Sequence, residues 1–238
     1  MYAGVDIGGT KVLAAVMDEH GQITKRTKFP TPQKYEDFLA ELKKTFHDFH
    51  VPEFQAAGVG MPATSMDRAE GRGLTFGNLP WRNVPIQGDL EQLLRCPVAI
   101  ENDAKLGALS EYMLVKDKFH KVLYVTISTG IGVGLVDNGH IDTEVGDAGG
   151  KIMYIEHNNK LVAWESLASG HAIVERFGKK AMDITDEATW KLIAHDISRG
   201  LIELVAITEP EVVVIGGSVG TYFDRYAKYL EAALKKFE

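Results

Sequence analysis

The sequence predicts an α/β protein made of two similar halves. A segment that reads as strand, glycine turn, strand, polar turn and strand starts at Tyr2, and a second such segment starts at Val122. With a shift of 120 positions, Val5 aligns with Val125 and Ile7 with Ile127. Each second strand is followed by a turn that ends in glycine, which is typical of a hairpin. Helical periodicity lies between the strands, so each half combines a sheet with helices.

Amphipathic spacing, helix caps and a proline stop predict five helices. Their ranges are 35–50, 103–114, 165–177, about 185–208, and 222–237. The apolar run Val212 to Ile215 stands before two glycines and predicts a buried strand. Five prolines between Pro52 and Pro97 punctuate a stretch that we expect to be rich in strands. No long linker separates the halves, whose ranges we place at 1–107 and 108–238.

Composition excludes several classes of function. The 238 residues carry 26 Lys and Arg against 33 Asp and Glu, and the basic residues are scattered, which argues against a nucleic-acid surface. The single cysteine, Cys96, excludes an intrachain disulfide and fits a reducing compartment. No secretory leader is visible, and no apolar run approaches the ~20 residues that cross a bilayer. These features predict a cytoplasmic enzyme or small-molecule binder without nucleic-acid or membrane partners.

The first glycine turn has the composition of a phosphate-binding loop. Gly8 and Gly9 follow an apolar strand, and without a Cβ they let backbone N–H groups approach an anion. Thr10 adds a hydroxyl donor and Lys11 a positive charge, while Asp6 could hold Mg²⁺ through water. An ordinary tight hairpin is the alternative.

The second glycine turn, Ser128 to Gly132, strengthens the phosphate prediction through Thr129 and Gly130. Two such loops could hold a polyphosphate group from both sides. Neither loop has the spacing of a P-loop or of a dinucleotide-binding helix turn.

Six motifs occur in an order that resembles the ROK family of sugar kinases (repressor, open reading frame, kinase), within the actin-like ATPase superfamily. They are VDIGGTK from Val5, NLPW from Asn78, ENDA from Glu101, TISTGIG from Thr126, ESLASG from Glu165 and IGG from Ile215. The resemblance covers nearly the whole chain. It implies two related actin-like, ribonuclease H-like domains with a cleft between them, ATP and Mg²⁺ as cofactors, and a small sugar as partner. The family often forms homodimers.

Asp103 is the residue that we expect to carry catalysis. The apolar strand Val98 to Ile100 delivers Asn102 and Asp103 to the start of a helix. By resemblance, the Asp103 carboxylate accepts the proton of the attacking sugar hydroxyl, a contribution typically worth ~10²–10⁴ in rate. The alternative is that Asp103 is only a helix N-cap.

The resemblance also implies the remaining site residues. The first domain would hold the first phosphate loop and the catalytic aspartate, and the second would hold the other loop with sugar and adenosine contacts. Sugar ligands are expected at Asn102, Glu144, Glu165, Asn78, Gly60 and Asp147, and ATP contacts at Asp6, Gly8, Gly9, Thr10, Lys11, Thr129, Gly130, Gly216 and Gly217. Gly216 and Gly217 could instead serve a turn that requires glycine, and Trp81 is expected in the core.

Three departures from the family pattern matter. Asp147, or Gly150 in another register, stands where the family has a histidine, and no cysteine lies between Asp147 and Glu165, so we expect no zinc site. Ser128 replaces a glycine, at a cost of about 1 kcal/mol if its φ is positive. Only 21 residues follow Gly217, whereas the family continues into another strand and helix, so a minimal variant or a shortened sequence is expected.

The leading hypothesis is an ATP-dependent hexokinase of the glucokinase type, with fructose, mannose and N-acetylmannosamine as open substrates. Polyphosphate-using glucokinases also lack the zinc loop, which leaves the phosphoryl donor open. Two competing hypotheses are a non-catalytic sugar sensor and an actin-like ATPase filament module.

Overall fold

The repeat in the sequence corresponds to two antiparallel meanders, one at the start of each half. The computed structural model describes residues 1–147, 149–151 and 153–235. It divides into two units, Met1–Leu106 and Gly107–Glu238, one residue from the boundary placed on the sequence. Within the described ranges, no helix combines the length and the apolar character needed to cross a membrane.

The first unit is built on a five-stranded sheet with a small second sheet and two helices before the boundary. Its elements are β1 (Tyr2–Ile7), β2 (Lys11–Met17), β3 (Ile23–Pro30), α1 (Tyr35–Asp48), β4 (Ala56–Met61), β5 (Ala63–Asp67), β6 (Arg72–Phe76), β7 (Arg82–Val84), α2 (Ile86–Leu94) and β8 (Val98–Asn102). The main sheet has the order β3-β2-β1-β4-β8, and β5, β6 and β7 form the second sheet. In the main sheet, β4 pairs in parallel with both β1 and β8.

The helices of this unit bury an apolar stripe against the sheet. Phe38, Leu42 and Phe46 of α1 are buried in the core, as their spacing predicts. Helix α2 is missing from the sequence prediction, although Ile86 and Leu90 recur at helical spacing and are fully buried. The prolines on either side of α2 favour strands and turns in the sequence prediction, because proline interrupts helices. Trp81 is 3% exposed and lies in the same core, as expected.

Helix α3 (Asp103–Val115) crosses the boundary, and the second unit follows with a four-stranded sheet, a separate hairpin and five helices among its described residues. Its elements are β9 (Lys121–Ile127), β10 (Ile131–Asp137), β11 (His140–Ile141), β12 (Tyr154–His157), β13 (Lys160–Ala163), α4 (Glu165–Ala168), α5 (Gly170–Phe177), α6 (Glu187–Thr208), β14 (Val212–Gly216), α7 (Gly217–Gly220) and α8 (Phe223–Leu234). The sheet order β11-β10-β9-β14 repeats that of the first unit, since β14 pairs in parallel with β9.

Three details of this unit differ from the sequence prediction. The helix predicted over 165–177 is two helices, because Ser169 adopts an extended conformation and its hydroxyl caps α5 by accepting from Ala172 N–H at 3.1 Å. Strand β14 is only partly buried, because it ends the sheet order rather than lying inside the sheet. The final predicted helix ends at Leu234, and residues 236–238 lie outside the described ranges.

Local signals agree with the structure where a cap or turn decides the conformation. Helix α6 begins after Asp186, whose carboxylate accepts a hydrogen bond from Thr189 N–H at 2.8 Å. The turn between β10 and β11 contains Asn138 and Gly139 with φ of 48° and 82°. Two positive φ values at the centre of a tight turn match the twist of the hairpin strands.

Candidate active site

The ends of three parallel strands bring the predicted catalytic residues of the first unit together. In the sheet register, Asp6 of β1 lies beside Gly60 of β4, and Gly60 lies beside Glu101 of β8. Asn102 ends β8, and Asp103 begins α3. Because parallel strands end at a common edge, Asp6 and Asp103 lie at the same edge of the sheet.

The Asp103 carboxyl group has an unusual acidity. The residue is open to solvent, yet the surrounding protein desolvates its carboxyl group, and this desolvation raises the pKa to about 6. The N–H of Ala104, which donates to Asp103 Oδ1 at 2.8 Å, lowers the pKa, and the negative charge of Asp6 raises it. A carboxylate with such a pKa is ionised at neutral pH and can also accept a proton.

Gly60 lies beside Asp6 and the start of α3. A Cβ at this position would stand 3.1 Å from Leu106 Cδ1, 3.8 Å from Asp6 Oδ1 and 3.9 Å from the Cα of Asp103. A side chain at this position would therefore crowd Leu106 and approach both the Asp6 carboxyl group and the backbone of Asp103. The predicted contact of Gly60 with a sugar stays a prediction.

Asn102, rather than Asp103, caps helix α3. Its side-chain oxygen accepts hydrogen bonds from Ala104 N–H at 2.9 Å and from Lys105 N–H at 3.3 Å. Its side-chain nitrogen donates to Ala63 O at 2.8 Å, and the residue is 5% exposed. The capping role that was the alternative for Asp103 thus belongs mainly to its neighbour, and the Asn102 side chain holds the strand-to-helix junction whatever else it binds.

An ion pair that the sequence analysis did not identify supports this junction. Arg68 donates to both carboxylate oxygens of Glu101, at 2.6 and 3.0 Å. Glu101 Oε1 also accepts a hydrogen bond from Asn102 N–H at 2.7 Å. Arg68 lies 33 positions from Glu101, and no local pattern marks the pair. The pair therefore holds the residue that directly precedes Asn102 and Asp103.

The first glycine loop joins β1 to β2 and is closed by a hydrogen bond from Gly8 N–H to Lys11 O at 2.9 Å. Buried Thr31, absent from the predicted set, holds the loop from outside: its hydroxyl donates to Gly8 O at 2.7 Å and its N–H to Thr10 O at 3.0 Å. A Cβ on Gly9 would stand 2.9 Å from the Cβ of Asn78. Asn78, predicted to contact the sugar, therefore lies against this loop.

Asp6 is the carboxylate that we expect to hold Mg²⁺ through water. It is exposed to solvent and lies next to the side-chain-free position Gly60. Desolvation raises the pKa of its carboxyl group, and the positive charge of Lys28 lowers it. Because Mg²⁺ is usually bound by one or two carboxylates and retained waters, Asp6 fits the role predicted for it.

The second glycine loop is held by the segment that starts α4 and α5. Gly170 N–H donates to Ser128 O at 2.6 Å, and His171 N–H donates to Thr129 O at 3.3 Å. Ser128 is not among the non-glycine residues with positive φ. Serine in place of the family's glycine is therefore accommodated without backbone strain.

Glu165 contacts the backbone of this second loop directly. Its Oε2 accepts a hydrogen bond from Ile131 N–H at 2.8 Å. A Cβ on Gly130 would stand 2.4 Å from the same oxygen, so a side chain there would displace the Glu165 carboxylate from its present position. The sequence predicts Glu165 as a sugar ligand and gives no sign of this backbone contact.

Asp147 and Gly150, the two positions aligned with the family's histidine, lie in the stretch that follows β11. Glu144 is exposed, and Asp147 is partly buried. Gly150 is buried, and a Cβ there would meet Ile131 at 2.9 Å, so this position contributes close packing. Ala148, within the alternative register, lies outside the described residues. Over the described ranges, no three His, Cys, Asp or Glu side chains are grouped to hold a metal ion.

Gly216 and Gly217, predicted to contact adenosine, lie where β14 meets α7. Gly217 has a φ of 83°, and a Cβ there would stand 2.4 Å from Ile127 O. A Cβ on Gly216 would stand 2.3 Å from the hydroxyl of Tyr124. The turn itself requires glycine at Gly217, while Gly216 is constrained by its packing against Tyr124, and the contact of both with a nucleotide stays a prediction.

The family of the chain follows from comparison with known proteins. The sequence pattern of the ROK family matches residues 2–237. The chain belongs to the ROK family. It is similar to a glucokinase of Streptomyces coelicolor, at 32% identity over 80% of this chain and 63% of that relative. It is also similar to an N-acetylmannosamine kinase of Shigella boydii, at 30% identity over 91% of this chain and 82% of that relative.

Solved structures of the ROK family share the fold. The crystal structure of a ROK hexokinase from Thermus thermophilus matches with a TM-score of 0.76 and 28% identity, over 100% of this chain and 90% of that chain. The fold is therefore the actin-like ATPase fold implied by the sequence motifs. The match to the Streptomyces glucokinase spans just under two thirds of that relative's length.

Proposed function

We propose that this ROK protein is a sugar kinase that transfers the γ-phosphoryl group of ATP to a hydroxyl group of a hexose. The observation that carries the proposal is the Asp103 carboxyl group, which is open to solvent, has a pKa of about 6 and lies at the same sheet edge as Asp6. The names of the relatives, a glucokinase and an N-acetylmannosamine kinase, support the same class of reaction.

In the proposed reaction, Asp103 accepts the proton of the sugar hydroxyl group. The oxygen of that hydroxyl group attacks the γ-phosphorus at the same time. The bond from that phosphorus to the bridging oxygen breaks, ADP leaves, and Asp103 later releases the proton to water. Backbone N–H groups of the glycine loops would bind phosphate oxygens. Mg²⁺, when bound, neutralises phosphate charge, and Asp6 would hold it through water.

The sugar is expected to be a hexose with glucose as the first candidate, by resemblance. Glu144, Glu165 and Asn102 are the proposed ligands of its hydroxyl groups, because carboxylates and amides accept and donate hydrogen bonds in the pattern that a sugar offers. The replacement of the family's histidine by Asp147 or Gly150 would change selectivity near one end of the ring. Fructose, mannose and N-acetylmannosamine therefore belong in any substrate test.

The proposal is tested by measuring ADP release with Mg·ATP across these four sugars, for the wild type and for Asp103→Asn. We expect one sugar to support saturable turnover and the variant to lose about 10²–10⁴ in kcat. A thermal unfolding scan checks that the variant is folded. Saturable sugar binding without ADP release would instead indicate a sugar sensor, and normal turnover of the variant would exclude Asp103 as the base.

The phosphoryl donor is tested in the same experiment by supplying polyphosphate in place of ATP. Sugar phosphate formed from polyphosphate alone would indicate the alternative donor. Sugar-independent release of ADP would indicate an ATPase rather than a sugar kinase.

A further inference from the structure

The segment from Glu165 to His171 holds the second glycine loop, Ser128 to Gly132, through three hydrogen bonds. The backbone N–H groups of Gly170 and His171 donate to carbonyl groups on the first half of the loop. The Glu165 side chain accepts from Ile131 N–H at 2.8 Å on the other half. Among these bonds, only the one to Glu165 uses a side chain and a full charge, and charge-assisted hydrogen bonds are the stronger kind.

The Glu165 backbone is fixed by its neighbour on the other side. Trp164 is fully buried, and its indole N–H donates to Asp196 O at 2.9 Å. The ring packs against Gly200 of α6 so closely that a Cβ there would stand 2.2 Å from the nearest ring atom. The carboxylate that contacts the loop is therefore attached to a rigid part of the second unit.

One carboxylate oxygen of Glu165 is occupied by the loop, and the residue is only partly buried. A carboxylate has two oxygens, and the second can accept a hydrogen bond from a hydroxyl group of the sugar. The prediction of Glu165 as a sugar ligand and its contact with the loop are therefore compatible.

We propose that Glu165 is a positioning residue for the second glycine loop, in addition to the sugar contact predicted for it. Nucleotide affinity then depends on this side chain even when no sugar is present. This inference rests on the proposed function, because it takes the loop to be a phosphate-binding loop. A residue that only bound sugar would leave sugar-free nucleotide affinity unchanged.

The test measures AMPPNP affinity by titration calorimetry in the absence of sugar, for the wild type, Glu165→Gln and Glu165→Ala. Glutamine keeps a neutral acceptor for Ile131 N–H, so we expect affinity to fall about threefold, and about tenfold for alanine. The matched control is Glu156→Gln, which removes the same charge from an exposed position of β12 and should leave affinity within about twofold.

Site-resolved hydrogen exchange of the Ile131 amide provides a second readout that needs no ligand. We expect exchange to accelerate about tenfold in Glu165→Ala and less in Glu165→Gln, while distant core amides keep their protection. The glutamine variant keeps the side-chain volume, so it tests the inference even if the alanine variant unfolds.

The outcomes separate this inference from the kinase proposal. Unchanged Ile131 exchange together with unchanged sugar-free affinity in both variants would overturn the positioning role, even if sugar binding were lost. If the wild type bound no nucleotide, the kinase proposal would fail, and Ile131 exchange would still decide whether Glu165 holds the loop.

Discussion

The raised pKa of Asp103 predicts an acidic limb in the pH profile of kcat/KM, which reports on groups of the free enzyme. With a pKa of about 6, only about one tenth of Asp103 is ionised near pH 5, and nearly all of it is ionised near pH 8. We therefore expect kcat/KM to fall about tenfold between these two conditions. With the ordinary value of 3.8, the loss at the same pH would be below about 10%.

The contribution of Asp6 to the raised pKa of Asp103 can be tested separately. Asp6→Asn removes a negative charge that raises the pKa of Asp103, so the acidic limb should move to lower pH. The variant should also lose activity if Asp6 holds Mg²⁺. The pH at the midpoint of the acidic limb is measured independently of the maximal kcat/KM, so this loss does not affect the test. Asp48→Asn, which removes an exposed charge at the end of α1, is the control and should leave the limb in place.

Thermal stability gives a readout that does not need turnover. The folded state raises the Asp103 pKa from 3.8 to about 6, so it binds this proton more tightly than the unfolded chain does. The resulting stability is present at low pH and is lost as pH rises from about 4 to about 6. The wild-type Tm should therefore fall relative to that of Asp103→Asn across this window. A flat kcat/KM above about pH 4.5, with parallel Tm curves, would refute the reasoning.

Three other predictions follow from close contacts and buried groups. Gly60→Ala should lower kcat/KM about tenfold, because its methyl group would stand 3.1 Å from Leu106 Cδ1 and 3.9 Å from the Cα of Asp103, the proposed base. Gly58→Ala, which meets nothing within 4 Å, should stay within about twofold, and equal losses would contradict the prediction. Tyr226→Phe should raise the free energy of unfolding in urea by about 1 kcal/mol, because this hydroxyl group is buried without a hydrogen-bond partner in the described part of the chain; destabilisation would contradict it. A double-mutant cycle on Arg68 and Glu101, with Met and Gln, should give a coupling energy of about 1–3 kcal/mol, and a value near zero would mean that the pair does not hold the junction.

Much of the fold could be read from the sequence because it depends on local signals. The cap at Asp186 and the turn at Asn138 and Gly139 set element ends within a few residues, and the structure has them where the sequence indicates. The break at Ser169 was missed because a hydroxyl group that caps a new helix looks like any polar residue inside a longer one.

For the candidate site, the sequence could predict which residues carry the chemistry, but not the contacts that hold them in place. The motifs gave Asp6, Asp103 and the glycine loops, but Thr31 and Arg68 were missed because their hydrogen bonds join residues 23 and 33 positions apart. No periodicity or spacing records such a contact. It depends on which distant parts of the chain become neighbours in the folded protein.

The sequence by itself determined the family, the two repeated meanders and the aspartate at the start of α3, because each follows from the order and spacing of nearby residues. Tertiary structure alone decided that Asn102 caps that helix, that Glu165 holds the second loop, and that the pKa of Asp103 rises to about 6. The physical reason is that desolvation and hydrogen-bond partners are properties of the space around a group, and distant parts of the chain fill that space.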